Sequence, residues 1–304
     1  MEGKDTFLNR VRKITQCKNN KKVGIQRMMK DRIALQLYSI REQMEEDFFG
    51  TLQKVKAMGY SGVEFAGLFG NDPLEVKSMC EEIGLVPLSA HVPFIELMEN
   101  MDTTIECYKK LGCKYVVVPY LTEEYRPGSE KFNDVIQGIK QIGEKLNKHG
   151  MTLQYHNHDF EFTKIDGNYA LDILYTEVNS QLLQTQIDTC WVNVAGENPV
   201  EYVAKYANRI PTVHLKDFAG VRSDKMYELI GIDDDKKTES AGAFEFRPLG
   251  EGLQDIPAIV DAAIQGGTEW FIVEQDMPSM GYDPLKCVEI SIVYLQKVLE
   301  GYGD

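Results

Sequence analysis

The sequence predicts an α/β chain folded as a single (β/α)8 barrel behind a basic N-terminal extension. Three observations predict it. Eight strand-like runs alternate with helical ones, reactive side chains recur at the C-terminal ends of the strands, and no linker or composition break divides residues 31–304.

The first strand is expected at residues 33–38, and the helical periodicity of residues 45–58 stops at Gly59. Residues 61–65 form a second strand, and the helix over residues 73–83 ends before Gly84. A third strand at 86–91 leads to a helix at 101–111, stopped by Gly112. The fourth strand, 115–120, is nearly all apolar, as a strand buried on both faces should be. A helix at 131–149 and a fifth strand at 151–156 follow, then a helical turn at 170–176 and a sixth strand at 183–188. A helix at 199–206, a seventh strand at 212–216, a helix at 256–265, an eighth strand at 270–275 and a closing helix at 284–299 complete the pattern. A doubly wound sheet is the competing architecture, but no glycine-rich phosphate loop follows the first strand. One long stretch, 217–252, is irregular and carries the run Asp233-Asp-Asp-Lys-Lys237; loops of that length act as lids or are disordered.

Composition excludes several functions. A net charge of −14 argues against nucleic acid and against an anionic membrane surface as partners. Basic residues concentrate at the start, where residues 1–32 hold ten Lys/Arg against Glu2, Asp5 and Asp31. That segment has no long apolar stretch, so a solvated extension (residues 1–30) is expected rather than a signal or a membrane span. Six cysteines without a CxxC pair suggest a reduced, cytoplasmic protein without disulfides. Oligomeric state is left open, a homo-oligomer included.

The run Leu153-Gln-Tyr-His-Asn-His-Asp-Phe-Glu-Phe162 begins as a strand and ends among groups that bind metals or move protons. Strand alternation puts Gln154, His156 and His158 on one face. In a barrel the site lies at the strand C-termini, and Glu64, His91, His156, His158, Asp188, His214, Lys216 and Glu274 all fall there. Only His149, at a helix C-terminus, stands apart among the five histidines. Singly, each has a structural reading: Glu64 paired to a cation, His91 a hydrogen-bonded wall residue, Asp188 a turn cap, His214 a satisfied core residue, Glu274 an ion-pair partner of Lys216. Jointly these are weaker, because so many buried charges need pairing or a metal. Imidazole and carboxylate without thiolate suit Mn, Zn, Co, Fe or Mg.

In order along the chain, Gly62-Val-Glu-Phe65, Leu153-Gln-Tyr-His-Asn-His158, Gln186-Ile-Asp-Thr189, Val213-His-Leu-Lys-Asp217 and Pro248-Leu-Gly-Glu-Gly252 resemble the xylose-isomerase-like TIM barrels described as sugar phosphate isomerases/epimerases. The resemblance covers about residue 31 to the end. It reaches ketose 3-epimerases, hydroxypyruvate isomerases, inosose dehydratases and keto-sugar lyases; the related AP endonucleases fit an acidic chain least. It implies metal ligands from the fifth to eighth strands in the order Glu, Asp, His, Glu. Asp188, His214 and Glu274 match three of them, while Gln154 stands where the epimerases have Glu and His156 lies two residues on. Because a neutral amide oxygen is a poor ligand for these metals, His156 is expected as the fourth ligand, with Gln154 as the alternative.

The expected function is a divalent-metal-dependent isomerase/epimerase of a sugar or keto-sugar, phosphorylated or not, working through an enediolate. Glu274 would remove the proton, and His158 or Glu161 would return one. Glu64, His91 and Lys216 would bind substrate, Trp191 would stack on a sugar face, and Lys216 with Arg247 would meet a phosphate. Without a carboxylate on the fifth strand, a symmetric two-glutamate shuttle lacks one partner. Dehydration or lysis of a keto-sugar or inosose is therefore the alternative function, and a sugar-binding barrel without catalysis a third.

Overall fold

A computed structural model describes residues 24, 29–221 and 244–301. Twelve strands occur among them: β1 (Ile33–Gln36), β2 (Gly62–Phe65), β3 (Val86–His91), β4 (Tyr115–Val118), β5 (Thr152–His156), β6 (Lys164–Ile165), β7 (Asn168–Tyr169), β8 (Gln184–Asp188), β9 (Thr212–Leu215), β10 (Asp217–Gly220), β11 (Phe244–Arg247) and β12 (Trp270–Val273). Eight of them close a parallel barrel in the order β1-β12-β9-β8-β5-β4-β3-β2. Closure is set where β1 meets β12, with Ile33 opposite Phe271 and Leu35 opposite Val273. The expected (β/α)8 barrel is the fold.

Strand alternation divides the side chains into two sets. Leu35, Val63, Val116, Leu153, Ile187, Val213 and Phe271 turn outward into the main core, which they share with the surrounding helices. Helix Phe132–Lys148 shows the matching pattern: Val135, Ile139, Ile142 and Leu146 are buried at helical spacing. The inward set is layered. At the N-terminal end Ala34, Leu88, Tyr115, Trp270 and Ile272 form an apolar plug. Gly62 makes room for it, since a Cβ there would lie 2.9 Å from the Trp270 ring. Above the plug Gln36, Glu64, Ser89, Gln154, Gln186 and Thr212 form a buried polar floor. The floor carries the site.

Several boundaries differ from expectation. The helix expected over residues 45–58 is broken at Asp47, whose extended backbone (φ −150°, ψ 86°) separates Arg41–Glu46 from Phe48–Met58 and whose carboxylate accepts from the Gly50 N–H. The stretch expected to be irregular opens and closes as an antiparallel ribbon, β10 against β11, with Asp217 opposite Arg247. Asp233–Lys237 and nearly all of the basic extension lie outside the described residues. Met29 is already buried in the core, and Lys30 pairs with Glu300 at 2.8 Å. Among the described residues Cys80, Cys107, Cys113, Cys190 and Cys287 are free thiols, and no helix is long and apolar enough to cross a membrane.

Candidate metal centre and active site

His156 ends β5, Asp188 ends β8, His214 lies on β9 and Glu274 follows β12. One ligand atom from each lies within 4.8 Å of all the others, and all four residues are buried. Two imidazoles and two carboxylates on four barrel strands are the donor set that a hard-to-borderline divalent cation takes. Asp188 supports the fit. Its Oδ1 caps the next helix, accepting from the Cys190 and Trp191 N–H groups. Its Oδ2 accepts no hydrogen bond among the described residues and faces Lys216 Nζ at 3.2 Å and His156 Nε2 at 3.6 Å.

The floor orients this cluster. Glu64 Oε1 meets His214 Nε2 at 2.8 Å and accepts from Gln36 at 2.7 Å, while Oε2 accepts from Ser89 and Gln186. His91 Nε2 lies 2.8 Å from both Glu64 and Gln186. Burial alone would raise the Glu64 carboxyl, but His91 and His214 outweigh it and hold the group well below the ordinary carboxylate range. Burial likewise opposes a charge on His214, yet Glu64 and Glu274 on its two sides push it up to about 10. His214 Nδ1 faces Glu274 at 2.9 Å, leaving Nε2 to the carboxylate beneath; this is the outer-shell arrangement that fixes a ligand imidazole.

Gln154 is not part of the cluster. Its amide donates to the Thr185 carbonyl and to Thr212, both at 2.9 Å, so it belongs to the floor. Among the fifth-strand residues it is His156 that reaches the level of Asp188 and His214. Burial, and then His214 beside it, hold its imidazole well below its ordinary pKa, so it is neutral and ready to coordinate.

Lys216 is 1% exposed and lies between three carboxylates, 2.9 Å from Glu274, 2.9 Å from Asp276 and 3.2 Å from Asp188. Burial would discharge it; the carboxylates overcome that and hold it charged. Burial would also raise Glu274, but Lys216 and His214 keep it ionised. Asp276, which had no motif to mark it, is pushed up to about 6 by burial against the pull of Lys216.

A cavity of about 530 Å³ opens above the cluster, lined at this end by His91, His156, His158, Lys216, Glu274 and Asp276. Four residues expected at the site are turned elsewhere. Glu64 lies in the floor, beneath the two histidines it orients, rather than against substrate. Glu161 accepts from the Tyr155 hydroxyl at 2.6 Å and from the His158 N–H at 2.8 Å, bracing the loop that carries His158. Trp191 is wholly buried in a second core cluster with Phe218, Phe244 and Phe246, its ring 5.1 Å from that of His158, so it packs rather than stacks on a sugar. Arg247 sits on the outer ribbon, paired with Glu245 at 2.6 Å. His158 does line the cavity, beside Phe160 and Tyr120; burial, and then Lys216, keep its imidazole neutral.

Residues 52–295 match the family model described as xylose isomerase-like TIM barrel. The chain belongs to this family. Its relatives are sugar-processing enzymes. An inosose dehydratase of Clostridium botulinum is 25% identical over 268 residues, covering 80% of this chain and 86% of that protein. In fold, the chain is similar to a sugar phosphate isomerase/epimerase from Parabacteroides distasonis, with TM-score 0.71 and 21% identity over 87% of this chain and 93% of that one. It is similar also to an IolI protein crystallised with a zinc atom, with TM-score 0.66 and 16% identity over 89% and 99% of the two chains. The matches favour the dehydratase alternative over the isomerase/epimerase function expected first.

Proposed function

We propose that the protein is a divalent-metal-dependent dehydratase of a keto-sugar or inosose, eliminating the group on the carbon β to the carbonyl. The observation that carries the reading is the one-sidedness of the site. Glu274 and Asp276 stand on one wall with Lys216, whereas the facing β5 wall offers imidazoles and Gln154 is tied down in the floor. A proton shuttle between facing carboxylates has no second member here. A syn elimination needs base and acid on one face only. The curated relatives described as inosose dehydratases support the same choice.

A divalent ion held by His156, Asp188, His214 and Glu274 would act as a Lewis acid toward the substrate carbonyl, making the adjacent carbon more acidic. Glu274, ionised beside Lys216, takes the proton from that carbon. Lys216 and Asp276, 2.9 Å apart, hydrogen-bond the departing hydroxyl and supply its proton. His158, kept neutral, and beside it His91 hold the remaining hydroxyls and orient the ring. Among the described residues Lys216 is the one Lys or Arg lining the cavity, and three carboxylates already engage it, which favours an uncharged substrate over a phosphorylated one.

Product mass after incubation of the metal-loaded protein with inososes and keto-sugars tests the reading. Loss of water supports it, and products of unchanged mass contradict it. Glu274→Gln with its metal content verified should lower turnover by about 10³-fold or more and stop solvent deuterium from entering recovered substrate. Continued exchange would remove Glu274 as the base.

A further inference from the structure

Two sequence motifs carry residues that the chemistry above leaves unused: Asp217, which follows Lys216, and the glycines of Pro248-Leu-Gly-Glu-Gly252. The fold brings them together. Asp217 is wholly buried, and its carboxylate accepts from the backbone N–H groups of Phe218, Gly250, Gly252 and Gln254. Oδ1 takes Phe218 at 2.9 Å and Gln254 at 3.0 Å; Oδ2 takes Gly250 at 3.0 Å and Gly252 at 3.1 Å. The loop comes this close only because two side chains are missing. A Cβ on Gly252 would lie 2.1 Å from Asp217 Oδ1, and one on Gly250, where φ is +86°, would lie 2.5 Å from the Tyr294 ring. A buried carboxylate without such donors is costly, so carboxylate and loop stabilise one another.

This lock reaches the site by two routes. Gln254 Nε2 donates to the Lys216 carbonyl at 3.3 Å, and its Oε1 accepts from Asn193 at 2.9 Å, on the helix Thr189–Val194 that Asp188 caps. The second route is the ribbon. The Leu253 N–H donates to the Phe218 carbonyl at 2.8 Å, Phe218 stacks on Phe244, and Phe244 meets Phe246 edge to face. The rings of Phe246 and Trp191 then stand 5.5 and 5.6 Å from Lys216 Nζ. Three carboxylates attract that ammonium, but a long flexible stem reaches them in more than one rotamer, and the ring wall selects among these.

We propose that Asp217 is a positioning residue: by holding the loop 248–254 it sets the aromatic wall that confines the Lys216 side chain. The ammonium is thereby aimed at Glu274 and Asp276. The inference deepens the proposed function and rests on it for the work that Lys216 does. Asp217 itself does not line the cavity and takes no part in any bond-making step.

The test follows the Lys216 ammonium by nitrogen NMR of the lysine-labelled, metal-loaded full chain, alongside its turnover of inososes. An ammonium buried among three carboxylates exchanges its protons slowly, so wild type should show an Nζ signal that Lys216→Met lacks. Asp217→Asn should shift or broaden this signal and lower kcat per folded molecule about 10²-fold, with KM changed far less. In a Lys216→Met background the same substitution should lower kcat no further. Gln254→Ala, which cuts only the side-chain route, should move the signal in the same direction by less. Trp270→Ala, destabilised elsewhere, should leave it in place. A signal unmoved by both Asp217→Asn and Gln254→Ala, or an equal kcat loss with and without Lys216, overturns the proposal and leaves the dehydratase reading standing. A moved signal together with products of unchanged mass supports the lock on Lys216 and overturns the dehydratase reading.

Discussion

The two ends of the barrel interior are built from the same strands, two to four residues apart, and they follow opposite rules. At the N-terminal end Trp270, Tyr115 and Leu88 fill space with apolar surface. At the C-terminal end the same β12 leads to Glu274, β3 ends at His91, and charges crowd where water is excluded. Burying charge costs stability unless each group is paired, and even then the balance is close to zero. The plug therefore stabilises the barrel, while the upper layer is maintained for what it binds.

Loss of function and loss of stability should accordingly separate along the strand. Of the variants, Glu274→Gln has the largest expected effect, on turnover and with little change in unfolding. Trp270→Ala should do the reverse, costing about 3–5 kcal/mol in denaturant unfolding while the folded fraction keeps its activity per molecule. A metal-binding defect in Trp270→Ala would break the comparison. Adding a divalent ion at about 100 times its Kd should raise the unfolding free energy by about 2.7 kcal/mol, an increase that Asp188→Ala abolishes. Glu64→Gln removes the carboxylate under His214 and should weaken metal affinity about 10–100-fold by titration calorimetry, leaving the metal-to-protein ratio at saturation unchanged.

The smallest effect belongs to the loop brace. Burial outweighs the hydrogen bonds from Tyr155 and the His158 N–H and pushes the Glu161 carboxyl up to about 8. A folded-state pKa above the unfolded one means that the contribution is fully present below the ordinary carboxylate range and is lost as pH rises toward 8. Wild type should thus lose stability between pH 5 and pH 8 relative to Glu161→Gln in thermal melts at several pH values; parallel curves would argue against a protonated brace.

The barrel was legible because its outward faces read as buried strands and its helices as amphipathic ones, and because barrel geometry then located the reactive residues. What the sequence could not supply was depth. Gln154 and His156 share a face, and only the strand register shows that one is floor and the other reaches the cluster. Glu161, Trp191 and Arg247 follow the fifth, sixth and seventh barrel strands in sequence. The 3-10 turn, short helix and ribbon strand that carry them direct their side chains instead toward Tyr155, the second core cluster and Glu245. Asp276 sits in the loop after β12, without periodicity, so no pattern pointed to it. The ribbon strand β11 did carry a signal, since Phe244 and Phe246 alternate with polar residues and both are buried. The break at Asp47 was hidden by periodicity that continues through it.

The most direct test of this layered site is the metal content of two neighbouring variants, His156→Ala and Gln154→Ala, by elemental analysis after dialysis against a limiting divalent ion. The account predicts that His156→Ala loses the ion held by the wild type, while Gln154→Ala keeps it and unfolds at a lower temperature. Retention by His156→Ala with loss by Gln154→Ala would contradict it.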